Sequence, residues 1–336
     1  MKSEYSLLID WLTITGKWFD WSEMFDFLGI TNPDIITQFE QCNGQDFYKY
    51  GLVYRAENRR AISFNMCNAN APESCEIRLS GKGCRVFEEF SDITFDELLE
   101  KVVKTDGVNC SRLDIAYDIK DNNFPMSKFV SFYNKDLFVS KCRKSRIVFN
   151  KDNYEYDGSS IYFGSRDSLI EINIYDKASE RGYTSVELLV GWVRMELRLR
   201  RAAALSFLTE YIETDKTIGE LYFAVVRNQI RFVKRNKSDS NKRRWKNEKW
   251  WDELTENVKS LQLLMPGVVY DIPKYQENVV KRVSSSLQTW FELNPGASLD
   301  DFLKESDRLH IEMNKTQKYL IKLFKMGIEF EDPNPL

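Results

Sequence analysis

The sequence predicts an α+β protein made of two antiparallel-sheet-plus-helix units and a helical C-terminal segment. Residues 1–105 read strand, helix, three strands, helix, and residues 106–235 repeat a strand–helix–strands–helix rhythm. Several of the strands alternate apolar and polar residues with period two, the mark of a sheet with one buried and one polar face. The shared rhythm is that of a structural duplication, although the two halves show no direct self-similarity. Three parts follow: an N-terminal α+β domain over 1–105, a second α+β domain over 106–235, and a basic linker with a helical region over 236–336. A chain of 336 residues exceeds the usual single-domain size, in keeping with such a division.

The first strand is SLLIDWLTIT, rich in apolar and β-branched residues and ended by Gly16. WSEMFDFLGI places Trp21, Met24, Phe25 and Leu28 at helical spacing, with Gly29 as the stop. Strands are expected at 47–54, 60–67 and 75–80, and GKG at 81–83 reads as a turn, since it lacks the flanking residues of a P-loop. TFDELLEKVVKT (94–105) is a helix with Thr94 as N-cap and Glu97 at the capping-box position. RLDIAYDI (112–119) opens the second unit, followed by a helix over 124–135. SRIVFN, SSIYFGSR, LIEINIYDK and WVRMELRLRR supply further strands, and AALSFLTEYIE and IGELYFAVVRNQIRFV two helices. Beyond 250 the pattern is largely helical.

Composition narrows the chemistry. The only histidine is His310, which excludes paired imidazoles and the HExxH zinc site and leaves carboxylates, tyrosine, lysine and arginine for any catalysis. The six cysteines show no CxxC or regular spacing and read as reduced thiols. No signal peptide or membrane-spanning run is apparent, so a cytoplasmic location without membrane partners is expected. Charge is segregated: residues 1–110 hold 11 Lys/Arg against 18 Asp/Glu, whereas 227–249 holds 10 against 2. Such a segment is either a solvated surface or an anion-seeking one. Trp245, Trp250 and Trp251 lie among its cations, and aromatic rings can stack on bases.

Three strands load one face with polar groups. RLDIAYD presents Arg112, Asp114 and Asp118; EINIYDK presents Glu171, Asn173, Tyr175 and Lys177; WVRMELRLR presents Arg194, Glu196, Arg198 and Arg200. A solvated antiparallel sheet also alternates in this way. If the strands are neighbours, however, Asp114, Tyr175 and Glu196 converge among arginines. Two carboxylates can hold Mg²⁺ or Mn²⁺ through oxygen, and such an ion polarises a phosphate. A tyrosine beside it can attack phosphorus, with Lys177 or Arg198 stabilising the added charge.

RLDIAYD, IYFGSRDS followed by INIYDKASE, and WVRMELRLR together resemble the signature blocks of the Rep_trans replication-initiation-factor family, and IDWLTIT resembles its first strand. The resemblance spans about 105–205, is fainter over 1–105 and fades beyond about 235. It implies a DNA nickase and strand transferase, with 106–235 as the catalytic domain. Tyr175 matches the nicking nucleophile, Lys177 the lysine after it, and Asp114 and Glu196 the acidic metal positions; Asp118 is a further acidic candidate. Asn173 stands where many relatives carry arginine. The DNA-contact candidates are Arg112, Arg166, Arg194, Arg200, Arg231, Lys234, Arg235, Lys242, Arg243, Arg244 and Trp245. The resemblance further implies Mg²⁺ or Mn²⁺, an origin or transfer-origin hairpin as substrate, a helicase of the PcrA/UvrD type and a homodimer. A plasmid or phage initiator and a conjugative relaxase share this chemistry, and a non-cutting origin- or promoter-binding protein is the alternative of another class. Tyr154, Tyr156 and Tyr162 are rival phenols; Tyr162 would share a face with Gly164 and Arg166.

Overall fold

Alternating strands assemble into one antiparallel sheet of ten in this computed structural model, which describes residues 4–152, 155–181, 191–256 and 286–309, with 280 and 284. In spatial order the first half is β2 (Glu40–Asn43), β3 (Tyr48–Ala56), β4 (Arg59–Asn68), β5 (Cys75–Leu79) and β1 (Glu4–Gly16). The second half continues with β6 (Asn109–Lys120), β11 (Trp192–Arg200), β10 (Ile170–Asp176), β9 (Glu155–Phe163) and β8 (Ser145–Asp152). Within each half the first strand is central, the last strand of the sheet lies beside it, and the others follow outwards in reverse chain order. The β1–β6 pair joins the halves, so the sheet runs unbroken across residue 105. A separate two-stranded sheet pairs β7 (Phe138–Ser140) with β12 (Ile230–Phe232). The α+β class and the antiparallel sheet are as the sequence predicts.

The chain divides into two compact units. Met1–Ile30 with Gln38–Pro266 carries the whole sheet, and Thr31–Thr37 with Gly267–Leu336 forms the other. In the latter, α2 (Pro33–Ile36) starts at Asn32, and a helix at Leu299–Arg308 is capped by Ser298 and Asp301. His310 lies outside the described residues, as do Tyr154 and the side chain of Tyr156. No described helix is long and apolar enough to cross a membrane.

In the sheet unit, helix boundaries follow local chemistry. α1 (Trp21–Leu28) is capped by Asp20 and ends at Gly29, whose φ of 64° suits a residue without Cβ. α4 (Phe95–Lys104) has the expected capping box, Thr94 and Glu97 satisfying each other's backbone N–H. GKG is not a turn but the start of α3 (Gly81–Phe90): Ser80 caps it, and Cys84, Val86 and Phe87 bury one face. A Cβ on Gly83 would collide with the Ala61 carbonyl, so glycine lets α3 lie against β4. The expected helix over 218–233 is α8 (Ile218–Gln229) followed by β12, because the β-branched and aromatic IRF pairs with β7. α5 (Met126–Asn134) and α7 (Ala202–Glu213) form close to where periodicity puts them.

One face of the central strands is apolar. Leu113, Ile115 and Tyr117 of β6, Ile172 and Ile174 of β10, and Met195, Leu197 and Leu199 of β11 are all buried. Burying each such side chain is worth about 1.5–3 kcal/mol. Helices α7 and α4 pack at this layer, and the buried Tyr222 of α8 donates its hydroxyl to the Met195 carbonyl at 2.7 Å. The opposite face of the same strands carries the polar residues.

Candidate active site

Antiparallel register lines the polar residues up in rows across the strands. Trp11, Asp114, Arg198 and Glu171 lie opposite one another on β1, β6, β11 and β10. The next row is Ala116, Glu196, Asn173 and Tyr162, the last from β9. A third is Asp118, Arg194, Tyr175 and Ser160. Paired residues share a face, so the three polar strands are neighbours that face the same way.

Tyr175 lies one residue before the end of β10, where its hydroxyl donates to Glu196 Oε1 at 2.6 Å. Lys177, in the first turn of the short helix α6 (Lys177–Glu180), reaches the same hydroxyl at 3.4 Å and also pairs with Glu180. The strand runs into a helical turn, and Asp176 caps it by accepting from the Ser179 amide. Tyr175, Lys177 and Glu196 are buried. Burial, reinforced by the Glu196 charge, holds the Tyr175 phenol above its ordinary pKa, so it is neutral and hydrogen-bonded at rest.

The carboxylates are each held by arginine. Arg112 grips Asp114 with two bonds of 3.0 and 2.5 Å while its guanidinium stacks over the Trp11 ring at 4.3 Å. Arg198 donates to Glu196 Oε2 at 2.6 and 3.0 Å, and Arg200 to Glu171 at 3.0 Å. Arg194 forks onto Asp118 at 2.6 and 2.7 Å and reaches Asp10 at 3.0 Å. Burial raises the pKa of Asp114 against the pull of Arg112. For Arg198, burial favours the neutral form, yet Glu196 and Asp114 outweigh it and hold the guanidinium charged.

Asp10 and the placing of Glu171 are what periodicity alone does not disclose. Asp10 sits at the register shift in β1 between Ile9 and Trp11, and a bulge cannot be read from alternation. Burial pushes its carboxyl up to about 6, with Arg194 opposing. Glu171 is on the expected face of EINIYDK, but its position against Arg198 needs the register. The structure brings Tyr175, Lys177, Asp114, Glu196, Arg198, Arg112 and Arg200 together. Asp118 is engaged by Arg194 instead.

Asp114, Glu196 and Glu171 offer an all-oxygen donor set on three adjacent strands, and Glu171 Oε1 and Asn173 Oδ1 are buried acceptors with no donor. That chemistry fits a hard divalent cation such as Mg²⁺ or Mn²⁺. As they stand, no three acidic, cysteine or histidine side chains among the described residues converge closely enough to hold a metal.

The basic segment lies apart from this cluster in sequence, and much of it is a loop bonded to itself and to Lys135 and Asp136. Arg231 donates to the carbonyls of Trp245 and Arg243, Arg235 to that of Lys135, and Lys242 pairs with Asp136 at 2.6 Å. Arg244, in a 3₁₀ turn over Lys242–Arg244, forks onto Asp239, whose carbonyl accepts from the Trp245 indole. Trp250 and Trp251 pack with Phe232, and Trp251 is fully buried, so these rings serve the core. Lys234, Lys237, Arg243 and Lys246 are exposed. Arg166 is exposed in the turn between β9 and β10, and Tyr162, the rival phenol, has the Arg146 guanidinium stacked over its ring at 4.1 Å.

The chain is 25% identical over 267 residues to a Bacillus subtilis (strain 168) protein described as a DNA relaxase, NicK, covering 76% of this chain and 72% of that one. It superposes on a rolling circle replication initiator protein from Geobacillus stearothermophilus with a TM-score of 0.70 and 26% identity, covering 78% of this chain and 99% of that one. Residues 108–309 match the Rep_trans family, further towards the C-terminus than the quoted blocks reach. With well over half of its length matched, the chain belongs to the Rep_trans family of replication initiation factors.

Proposed function

We propose that the protein nicks DNA and transfers the cut strand through Tyr175. The observation that carries this reading is the Tyr175 hydroxyl donating to Glu196 at 2.6 Å with Lys177 at 3.4 Å, on a face lined with arginines. Tyr175 Oη attacks a backbone phosphorus and passes its proton to Glu196. The bond to the 3′ oxygen breaks, leaving DNA joined to Tyr175 through its 5′ phosphate, and the departing oxygen takes a proton from solvent water to become a free 3′ hydroxyl. Lys177 stands near the phenolic oxygen, where its charge offsets the phenolate forming as the proton leaves. Arg198 and Arg112 are only partly covered and can reach for phosphate. A divalent cation, when bound by Asp114, Glu196 and Glu171, would neutralise charge on the phosphoryl oxygens. Asp118 is here a structural partner of Arg194 rather than a metal ligand.

The relatives, one described as a relaxase and the other as a replication initiator, support a nick that opens either replication or transfer of a mobile element. In the test, the protein is incubated with supercoiled plasmid bearing its own flanking DNA and Mg²⁺ or Mn²⁺. The expected product is relaxed DNA covalently attached to protein, and Tyr175→Phe abolishes the attachment. Binding without attachment by the wild type would favour a non-cutting origin-binding protein. Unchanged attachment by Tyr175→Phe would move the nucleophile elsewhere, with Tyr162 next in line.

A further inference from the structure

Arg198 stands among three carboxylates from three adjacent strands. Its guanidinium lies 2.6 Å from Glu196 on β11, 3.7 Å from Glu171 on β10 and 3.8 Å from Asp114 on β6. Register accounts for this: Asp114 and Glu171 are its cross-strand partners, and Glu196 precedes it by two on its own strand. Each carboxylate also has an anchor independent of Arg198. Arg112 holds Asp114, Arg200 holds Glu171, and Tyr175 holds Glu196. The three would keep these anchors if Arg198 left.

Two buried acceptors at this spot lack a donor. Glu171 is wholly buried, its Oε1 has no hydrogen-bond partner, and the same is true of Asn173 Oδ1 on the next same-face position of β10. An unpartnered buried carboxylate oxygen is costly and points to a missing donor or cation. Arg198 is also more exposed than the groups it contacts, its side chain being 22% accessible against 5%, 0% and 5% for those of Asp114, Glu171 and Glu196. It can therefore swing outwards without unpacking the sheet.

We propose that the Arg198 guanidinium holds the place of a divalent cation in the DNA-free protein, and that Asp114, Glu171 and Glu196 bind Mg²⁺ or Mn²⁺ once it swings out. This rests on the nicking reading for its purpose: the outward guanidinium would settle on a DNA phosphate, so that cation and DNA favour each other's binding. By linkage that preference is reciprocal. It also accounts for three carboxylates that lie together yet do not converge as a ready metal site.

Mn²⁺ binding to DNA-free protein, followed by electron paramagnetic resonance, tests this in the wild type, Arg198→Met and Arg198→Met/Glu171→Gln. Removing the guanidinium is expected to tighten Mn²⁺ binding by about tenfold or more, because the competent state no longer has to be won from a competitor. Glu171→Gln should cancel that gain. Unchanged or weaker binding by Arg198→Met overturns the proposal, as does a gain that survives Glu171→Gln. If Arg198→Met does not fold, the wild type decides through its arginine Nε–Hε NMR spectrum. The Arg198 resonance, identified by its absence in Arg198→Lys, should shift on saturation with Mg²⁺ while that of Arg194 stays; an unmoved Arg198 resonance overturns the proposal. Nicking is judged separately by covalent attachment to Tyr175. Displacement of Arg198 without attachment sinks the nicking reading alone, and attachment with an unresponsive Arg198 sinks this one alone.

Discussion

Arg194 holds two carboxylates at once, forking onto Asp118 and reaching Asp10, with all three drawn from different strands at the centre of the sheet. Burial alone would depress its pKa, but Asp118 and then Asp10 keep it above the ordinary value for arginine. Arg194→Met would strand a buried Asp118 charge, so a loss of about 3–5 kcal/mol is expected, read from the urea unfolding midpoint. Arg194→Met/Asp118→Leu removes the more buried of the two orphaned carboxylates and should recover a large part; no recovery would mean that Arg194 acts chiefly through packing or through Asp10. Residues of this kind mark the limit of what alternation discloses. Asp114, Tyr175, Lys177 and Glu196 are legible because a strand with period two declares its face. Whether Asp118 pairs with Arg194 or serves a metal depends on register and on the bulge at Asp10, neither of which the period encodes.

At the scale of elements, α3 does what no strand does. β5 covers β1 only from Leu12 to Gly16, so Glu4–Ile9 have β6 on one edge and no strand on the other among the described residues. Arg85 of α3 supplies a donor there, giving a 2.6 Å hydrogen bond to the Ile9 carbonyl. Arg85 also pairs with Glu88 one turn on, at 3.2 Å. The Glu88 side chain is only 5% exposed and its Oε2 lacks a partner. Burial pushes this carboxyl up to about 7, with Arg85 opposing. Because the folded pKa exceeds the unfolded one, the native state binds the extra proton between roughly pH 4.5 and pH 7. Stability therefore falls as pH rises through that window and levels off above it. Glu88→Gln removes the fall. It should match the wild type near pH 4 and exceed it by at most about 3 kcal/mol at pH 8, measured by chemical unfolding at both values. A constant offset at both pH values would refute the assignment to Glu88. The helix itself escapes a reading of GKG as a turn because glycine, a poor helix former, is here demanded by the Ala61 carbonyl.

For the whole molecule, the polar face and the basic loop are where a chain of net charge −3 would take DNA under the nicking proposal. One row of the sheet, Ser63, Arg78, Thr13, Arg112 and Arg200, runs across β4, β5, β1, β6 and β11, so cationic groups come from both halves. The sequence segregates acid into residues 1–110, yet the register returns Arg78 from that acidic stretch to the arginine-bearing face. Composition alone could not show this, since it counts charge by position along the chain and not by place on a sheet. In the loop, Arg231 and Arg244 are spent on internal partners, whereas Arg243 and Lys246 are exposed. Arg243 and Lys246, like Lys234 and Lys237, are exposed cations through which this segment could meet phosphate. Each phosphate neutralised releases counterions, with a slope of about −0.9 per contact for duplex DNA and about −0.7 for single strands in log affinity against log salt. Arg243→Ala/Lys246→Ala should flatten that slope by up to about 2 and weaken binding most at low salt, as followed by fluorescence anisotropy on an origin hairpin. Thermal stability should be unchanged, because neither side chain holds another part of the fold. An unaltered salt slope would make these two side chains solvated surface and leave the electrostatic grip to the sheet face around Tyr175 and the remaining exposed cations.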